Sequence, residues 1–269
     1  MSDAGAIPAV LLVGLGRMGA ALASGWREHG LAASFAVDPT LPASPGPEIT
    51  VVADPAALPD GFAPSAVILA VKPQAAAAAA PPYRRFAGGA VFVSIMAGRS
   101  VSGLQASLGD GAAIVRAMPN TPAAIRQGIT VAYASPAVGA DQRALCDTLL
   151  GAVGEVAWVD DEALLDPVTA VSGGGPAYVF LLAELLERAA IEQGIAPALA
   201  VRLARQTVAG SGALLAASAE DASTLRRAVA SPNGTTERAL AVLMDAAAWP
   251  AAVSGAVAAA TRRSRELAG

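Results

Sequence analysis

The 269-residue chain has few of the side chains that disulfide frameworks and metal centres require. Its single cysteine, Cys146, excludes an internal disulfide and a cysteine-cluster metal site, so we expect no metal and interpret this thiol as a small core residue. Its single histidine, His29, falls at the end of a predicted helix, and we interpret it as a surface or capping residue. Catalysis centred on a histidine or a cysteine is therefore not expected.

Positive charge is also scarce in this sequence. The net charge of -4 gives no basic footprint for nucleic acid, and the one dense cluster, Arg262, Arg263 and Arg265, suits a solvated helix end. The N-terminus lacks the basic region and continuous apolar stretch of a signal peptide, and no run of about 18 uncharged apolar residues is free of Pro and Gly. We therefore expect a cytoplasmic protein that binds neither nucleic acid nor a membrane.

An apolar run near the start of the sequence ends in a glycine-rich turn. Residues 7–13 predict a buried strand, and Gly14, Gly16 and Gly19 follow with the spacing GxGxxG, directly before a helical pattern over 17–29. In a dinucleotide-binding fold the first glycine permits the tight turn, the second lets the backbone approach a pyrophosphate, and the third lets the helix pack close to the strand. The pattern predicts a dinucleotide site; a tight turn without a ligand is the alternative.

An acidic residue follows the second predicted strand. This strand, 35–37, ends in Asp38, at the offset where a carboxylate accepts the ribose hydroxyls of a dinucleotide. A carboxylate there would repel the 2′-phosphate of NADPH, and no arginine follows it in the proline-rich loop 39–47. The sequence therefore favours NADH.

Further apolar runs, separated by helical connectors that include an alanine tract, predict the rest of a parallel sheet. They lie at 49–52, 66–71, 90–95 and 112–115. The alternation predicts a doubly wound α/β domain over residues 1–160. From residue 161 helical periodicity predicts a second, all-α domain over 161–269, with Pro176 and Pro197 in first turns and Gly194 at a helix end.

The segments that follow the later strands carry small or polar residues. In an open α/β sheet, ligands bind beyond the carboxyl ends of the strands. The segments are Val-Lys-Pro-Gln at 71–74, Met-Ala-Gly-Arg at 96–99 and Arg-Ala-Met-Pro-Asn-Thr-Pro at 116–122. Each by itself could be only a turn built from Gly, Pro and Asn, but together they favour a cofactor groove.

Two small-residue loops in the helical half each open a helix. They read Val-Ser-Gly-Gly-Gly-Pro-Ala-Tyr at 171–178 and Ser-Pro-Asn-Gly-Thr-Thr at 231–236. At the second loop, a helix start would expose the amides of Gly234, Thr235 and Thr236, which could hold a carboxylate with help from the helix dipole. Helix N-capping by a threonine is the alternative.

Six motifs taken together resemble one enzyme family. The order GLGRMG, AVKPQ, SIMAGRS, RAMPNTP, VSGGGPAY and SPNGTT is closely similar to that of the pyrroline-5-carboxylate reductases across nearly the whole chain. The resemblance implies a Rossmann domain, a helical domain that interlocks with a second subunit, and an oxidoreductase. The expected reaction is hydride transfer from NAD(P)H to 1-pyrroline-5-carboxylate, the last step of proline biosynthesis, in a homodimer or an assembly of dimers.

The resemblance also implies which residues form the site. Ser231 and the amides of Gly234, Thr235 and Thr236 would bind the substrate carboxylate, and the Thr236 hydroxyl would hydrogen-bond the ring nitrogen as the catalytic group. A protonated imine is already electrophilic, so positioning can supply much of the acceleration without a metal. The cofactor-binding residues would be Gly14, Leu15, Gly16, Arg17, Met18, Gly19, Asp38, Ala70, Val71, Lys72, Pro73, Ala97 and Gly98.

The chain departs from the family pattern at three positions. Gly174 stands where the family usually has serine, Asn233 where it has glycine, and Arg227 where an aspartate is common. These changes leave a reductase of another cyclic imine as an alternative. A β-hydroxyacid reductase fits less well, because its helix lysine is missing and the sole lysine is Lys72. A nucleotide-sensing binding protein without turnover is the alternative from a different class.

Overall fold

The computed structural model describes residues 7–268, and the chain divides into two compact units. The first unit runs to Gly173 and also takes in the end of the chain from Ala260. The second unit spans the residues between them. The functional division into 1–160 and 161–269 stays a prediction.

An eight-stranded sheet forms the centre of the first unit. In chain order the strands are β1 (Val10–Val13), β2 (Ser34–Val37), β3 (Ile49–Val52), β4 (Ala66–Leu69), β5 (Val91–Ser94), β6 (Ile114–Pro119), β7 (Gly128–Ala134) and β8 (Gly154–Trp158). In space the order is β3-β2-β1-β4-β5-β6-β7-β8, and neighbours are parallel except β6 and β7. The order of the strands reverses at β1, because β2 and β3 lie on one side of it and β4 and the later strands on the other. Doubly wound folds bind dinucleotides at such a switch point. The predicted fold class is confirmed.

Helices cover both faces of this sheet. They are α1 (Arg17–Glu28), α2 (Ala76–Ala79), α3 (Val101–Leu108), α4 (Ala140–Gly151) and α5 (Leu165–Val168), which runs into a π-helical turn (Thr169–Gly173). Leu12 packs with Trp26 on one face, and its neighbour Leu11 packs with Tyr83 and Phe92 on the other. Burial on both faces explains why the central strands β1 and β4 are apolar along their whole length.

The single cysteine and histidine have the roles that the sequence predicted. Cys146 is completely buried in the core beside α1, and burial, with a smaller contribution from Asp147, raises the pKa of its thiol to about 12. His29 follows the last residue of α1, and its Nδ1 lies 2.8 Å from the Gly25 carbonyl oxygen. Both interpretations are confirmed.

The second unit is helical. It contains α6 (Gly175–Glu192), α7 (Pro197–Ala217), α8 (Ala222–Ala228), α9 (Thr235–Leu243) and the first part of α10 (Trp249–Ala268). Pro176 and Pro197 lie in the first turns of α6 and α7, and Gly194 has a φ of +85° just beyond α6. These positions confirm the predicted helix starts and the predicted helix end.

Large apolar side chains of the second unit lie on its surface. Phe180 is 67% exposed and Val242 70% exposed, and every described residue of α6 is at least partly exposed. One helical run, Glu162–Glu192, is also long and apolar enough by composition to cross a membrane. An apolar surface of this extent indicates an interaction site.

Candidate functional site

The glycine-rich turn after β1 has the backbone geometry that its spacing predicts. Gly14 has a φ of +94°, and its amide donates to the Val37 carbonyl at 2.9 Å. A Cβ at Gly19 would collide with the Gly14 carbonyl oxygen, so helix and strand approach too closely there for a side chain. A Cβ at Gly16 would meet no protein atom within 4 Å. The turn therefore leaves open space beside Gly16, where a ligand could approach the backbone.

The first turn of α1 adjoins this space. Gly16 is the N-cap and has no side chain to cap the helix amides, so they remain suited to an anion. Arg17 is exposed at the helix start, and Met18 is half-buried against the core. Their placement is compatible with the pyrophosphate of a dinucleotide, and the pyrophosphate site stays a prediction.

Asp38 supports the glycine-rich turn from the end of β2. Its Oδ2 accepts a hydrogen bond from the Leu15 amide at 2.8 Å, and its Oδ1 accepts from the amide and hydroxyl of Thr40 at 2.9 and 2.6 Å. Burial by itself would raise the pKa of Asp38, but these hydrogen bonds outweigh it and keep the pKa below its usual range. Asp38 is therefore negatively charged at neutral pH.

The loops after β4 and β5 lie along the same edge of the sheet. The Ala70 amide donates to the Val13 carbonyl at 2.8 Å, and a Cβ at Gly14 would lie 2.8 Å from the Ala70 carbonyl oxygen. The Arg99 Nε donates to the Pro73 carbonyl at 2.8 Å, which joins the two loops. The structure thus brings the predicted cofactor residues of three strands together, with Val71 half-buried and Lys72 exposed between them.

The last turn of α10 packs against the loop after β5. Gly98 has a φ of +69°, and a Cβ there would lie 3.1 Å from the Leu267 Cβ. The buried Ser264 fixes this end of the helix by donating to Asp166 Oδ1 at 2.6 Å. The end of the chain therefore supports the Ala97–Gly98 loop.

A groove of about 670 Å³ opens at the carboxyl ends of the first four strands. Val13, Val37 and Val71 line it, so it lies at the switch point of the sheet. Two charged residues in its lining, Asp54 and Arg85, were missed by the sequence analysis. Arg85 belongs to a 3-10 turn in the connector before β5, far along the chain from any strand-end motif.

The predicted carboxylate-binding loop lies in the second unit, at the start of α9. Gly234 is the N-cap, so N-capping by a threonine is wrong. Its amide donates to the Ser231 carbonyl oxygen at 2.9 Å, so the expectation that this amide is free to bind a carboxylate is wrong as well. The amides of Thr235 and Thr236 begin the helix, where amides have no intrahelical acceptor. Asn233 has a φ of +60°, a conformation that Asn tolerates better than most residues, so it preserves a glycine-like backbone.

The other two departures from the family pattern have local explanations. The Arg227 guanidinium donates to Ser223 Oγ at 2.9 Å and to Thr224 Oγ1 at 2.8 Å, both within α8. Gly174 is the N-cap of α6 with ordinary helical backbone angles, a conformation that serine also adopts. Thr236 itself lies in the first turn of α9.

Comparison with known proteins gives one consistent result. A family model described as pyrroline-5-carboxylate reductase dimerisation matches residues 162–267. A pyrroline-5-carboxylate reductase from Pseudomonas aeruginosa is 40% identical, covering 97% of this chain and 97% of its own. The solved pyrroline-5-carboxylate reductase of Coxiella burnetii has a TM-score of 0.87 at 29% identity, covering 97% of this chain and 98% of its own. The pyrroline carboxylate reductase of Plasmodium falciparum, with NADP bound, has a TM-score of 0.83 at 26% identity, covering 97% and 99%.

These similarities include the helical unit as well as the sheet. The dimerisation match contains the whole of the run Glu162–Glu192, the helices α6 to α9, and α10 as far as residue 267. Contact with a second subunit therefore accounts for this apolar surface, and the protein forms a homodimer. Through its sequence, its fold and its dimerisation region, the chain belongs to the pyrroline-5-carboxylate reductase family.

Proposed function

We propose that the protein reduces 1-pyrroline-5-carboxylate to L-proline with a nicotinamide cofactor, in the last step of proline biosynthesis. The observation that carries this proposal is 40% identity to the Pseudomonas aeruginosa enzyme over 97% of both chains. The open glycine-rich turn and the groove at the switch point support it independently, because they fit a dinucleotide.

In this proposal the first unit holds the cofactor. The turn 14–19 and the first amides of α1 bind the pyrophosphate, and Asp38 binds a ribose. The loops 70–73 and Ala97–Gly98 line the ribose and nicotinamide of the other half. The bound NAD(P)H supplies the hydride; the protein supplies binding and orientation.

The loop at the start of α9 holds the substrate. The Ser231 hydroxyl, the turn at Gly234 and the amides of Thr235 and Thr236 bind the carboxylate, with a dipole contribution of about 0.3–1 kcal/mol. The Thr236 hydroxyl hydrogen-bonds the ring nitrogen and so orients the imine carbon. Because a protonated imine becomes an amine without a further proton, orientation is the main requirement on these residues.

We propose NADH as the preferred cofactor. The charged Asp38 carboxylate would repel the 2′-phosphate that distinguishes NADPH. Arg85, in the lining of the groove at the switch point, would attract that phosphate and opposes this preference, whereas Asp54 in the same lining would repel it. The preference therefore depends on the balance between Arg85 and the two carboxylates.

We also propose a cytoplasmic protein in which the homodimer acts alone or as the unit of a larger assembly. Its net charge of -4 supports the absence of a nucleic-acid partner. The dimerisation match over the apolar helices supports the absence of a membrane partner.

The test is oxidation of NADH and of NADPH by the purified protein, with pyrroline-5-carboxylate, pyrroline-2-carboxylate and piperideine-carboxylate as separate substrates. Rapid oxidation with the first substrate is expected. Activity on another imine alone would assign a different substrate, and cofactor binding without any oxidation would favour a nucleotide-sensing protein.

Two variants at Thr236 test its role in the same assay. Thr236→Ala should lower kcat by about 10- to 100-fold with little change in cofactor affinity, because the hydroxyl acts at the reacting nitrogen. Thr236→Ser keeps the hydroxyl and should retain most of the turnover. An unchanged kcat in the alanine variant would contradict the assignment.

A further inference from the structure

We infer that the Ser172 hydroxyl hydrogen-bonds the carboxamide of the bound nicotinamide ring, an inference that rests on the proposed function. Ser172 precedes the short glycine run before α6 and belongs to the first unit. Three features carry the inference: an unpaired buried hydroxyl, an unusual backbone turn around it, and the position of that turn beside β6.

The first feature is the hydroxyl itself. Among the residues that the structure describes, Ser172 Oγ is the one buried side-chain oxygen or nitrogen without a hydrogen-bond partner. Buried polar atoms nearly always have a partner, since desolvation without one is unfavourable. An orphaned hydroxyl in an otherwise paired interior therefore points to a ligand.

The second feature is the backbone around it. Ser172 lies in the π-helical turn Thr169–Gly173. Such turns are rare, because they interrupt the regular hydrogen bonds of an α-helix, and they often occur at functional sites. In the same turn the Thr169 hydroxyl donates to the Leu165 carbonyl at 2.7 Å. The Thr169 hydroxyl is therefore paired within the turn, whereas the Ser172 hydroxyl has no partner.

The third feature is the location of the turn. A Cβ at Gly173 would lie 2.6 Å from the Met118 methyl group, so the turn packs directly against the carboxyl-terminal half of β6. In the sheet, β6 follows β4 and β5 outward from the switch point. The nicotinamide half of a dinucleotide extends in this direction over the carboxyl ends of the strands.

The chemistry of the carboxamide fits this hydroxyl. A carboxamide offers one carbonyl acceptor and two N–H donors, and a serine hydroxyl both donates and accepts. The imine substrate is the other possible partner, but its proposed binding loop at 231–236 belongs to the second unit. The position of Ser172 in the first unit, with the predicted cofactor residues, favours the cofactor.

The experiment compares Ser172→Ala with the wild type, using two ligands without the imine. NADH carries the carboxamide. ADP-ribose has the adenosine, the pyrophosphate and the second ribose of NADH but lacks the nicotinamide. The Kd for NADH, measured by fluorescence titration, should rise about 3- to 10-fold, while the Kd for ADP-ribose should stay unchanged. The Tm without ligand should be unchanged or higher, because the substitution removes an unpaired buried hydroxyl.

Thr169→Val is the matched control, since it removes the paired hydroxyl of the same turn. It should leave both Kd values unchanged. Equal weakening of NADH and ADP-ribose by Ser172→Ala, or a lower Tm without ligand, would show a structural role and overturn the inference. An unchanged Kd for NADH with a raised KM for the imine would assign the hydroxyl to the substrate and overturn it as well.

The proposed function can fail separately from this inference. If the wild type oxidised neither cofactor with any imine, the proposed reductase activity would be refuted. The contact between Ser172 and the carboxamide would still stand if Ser172→Ala weakened NADH binding selectively. A wild type that binds no NADH would overturn both.

Discussion

At the scale of single residues, the Asp38 carboxylate is engaged on both of its oxygens within the protein. It holds the Leu15 amide of the glycine-rich turn and both polar groups of Thr40. Its Oδ1 has both lone pairs occupied, whereas Oδ2 retains one for a ribose hydroxyl. A change at this position therefore affects the shape of the turn as well as the charge that the cofactor meets.

Variants at Asp38 should separate these two effects. Asp38→Ser removes the charge and should shift the NADPH-to-NADH ratio of kcat/KM upward by about tenfold or more. Asp38→Asn removes the same charge but keeps an oxygen that can accept from the Leu15 amide, so its NADH affinity should fall less. Both ratios are measured by steady-state kinetics with each cofactor.

Arg85→Ala is the companion to these variants. It should lower kcat/KM for NADPH and leave kcat/KM for NADH nearly unchanged, because only NADPH carries the phosphate. An unchanged NADPH-to-NADH ratio of kcat/KM in Asp38→Ser would contradict the proposed role of Asp38 in the preference for NADH.

The sequence could identify single residues where a motif fixes their place. The spacing of Gly14, Gly16 and Gly19 is local, so their backbone geometry was predictable. Arg85 and the unpaired hydroxyl of Ser172 were not, because each depends on which distant segment packs beside it. Long-range packing of this kind leaves no pattern in the neighbouring residues.

At the scale of secondary-structure elements, the turn between β1 and α1 offers a matched pair of glycines. Gly16→Ala adds a methyl group where no protein atom lies within 4 Å and where φ is -70°, so folding should be unaffected. The methyl group would occupy the space proposed for the pyrophosphate, so the Kd for NADH should rise at least tenfold. Titration with NADH and a thermal melt are the measurements.

Gly19→Ala should behave in the opposite way. Its methyl group would collide with the Gly14 carbonyl oxygen, so the variant should lose stability as well as NADH binding. If Gly16→Ala bound NADH with wild-type affinity, the turn would not be the pyrophosphate site.

The strands show which elements were predictable. β1 to β6 were found from their apolar runs, which are typical of strands covered on both faces. The predicted end of β6 was wrong, because the strand continues through Arg116 to Pro119. β7 and β8 were missed, since β8 is half-exposed and carries Glu155, while β7 pairs antiparallel with β6. The alanine tract forms only the single turn α2 instead of a longer connector, because prolines at 73, 81 and 82 favour 3-10 turns around it.

At the scale of the whole molecule, we expect the stability of the helical unit to depend on the second subunit. The side chain of Phe180 on α6 is 67% exposed in one chain, within the dimerisation match. Burial of a phenylalanine side chain contributes about 1.5–3 kcal/mol to stability. In a two-fold symmetric dimer each subunit supplies one Phe180, so this contribution occurs twice. Loss of the dimer interface should therefore cost much of the stability.

Phe180→Glu tests this dependence. The variant should elute as a monomer in size-exclusion chromatography with light scattering, and its Tm should be lower and no longer rise with protein concentration. Leu41→Glu is the control, since Leu41 is 56% exposed in the first unit and lies outside the dimerisation match. A Phe180→Glu protein that remained dimeric would place the interface elsewhere.

The packing of Leu267 against Gly98 also bears on how the protein is handled in the laboratory. A purification tag fused after Gly269 would be separated by only two residues from Leu267, which packs against the loop proposed to line the nicotinamide. The amino end of β1 lies at the edge of the sheet opposite this loop. Kinetic constants from a C-terminally tagged preparation would therefore describe a perturbed cofactor loop, and an N-terminal tag is the safer choice.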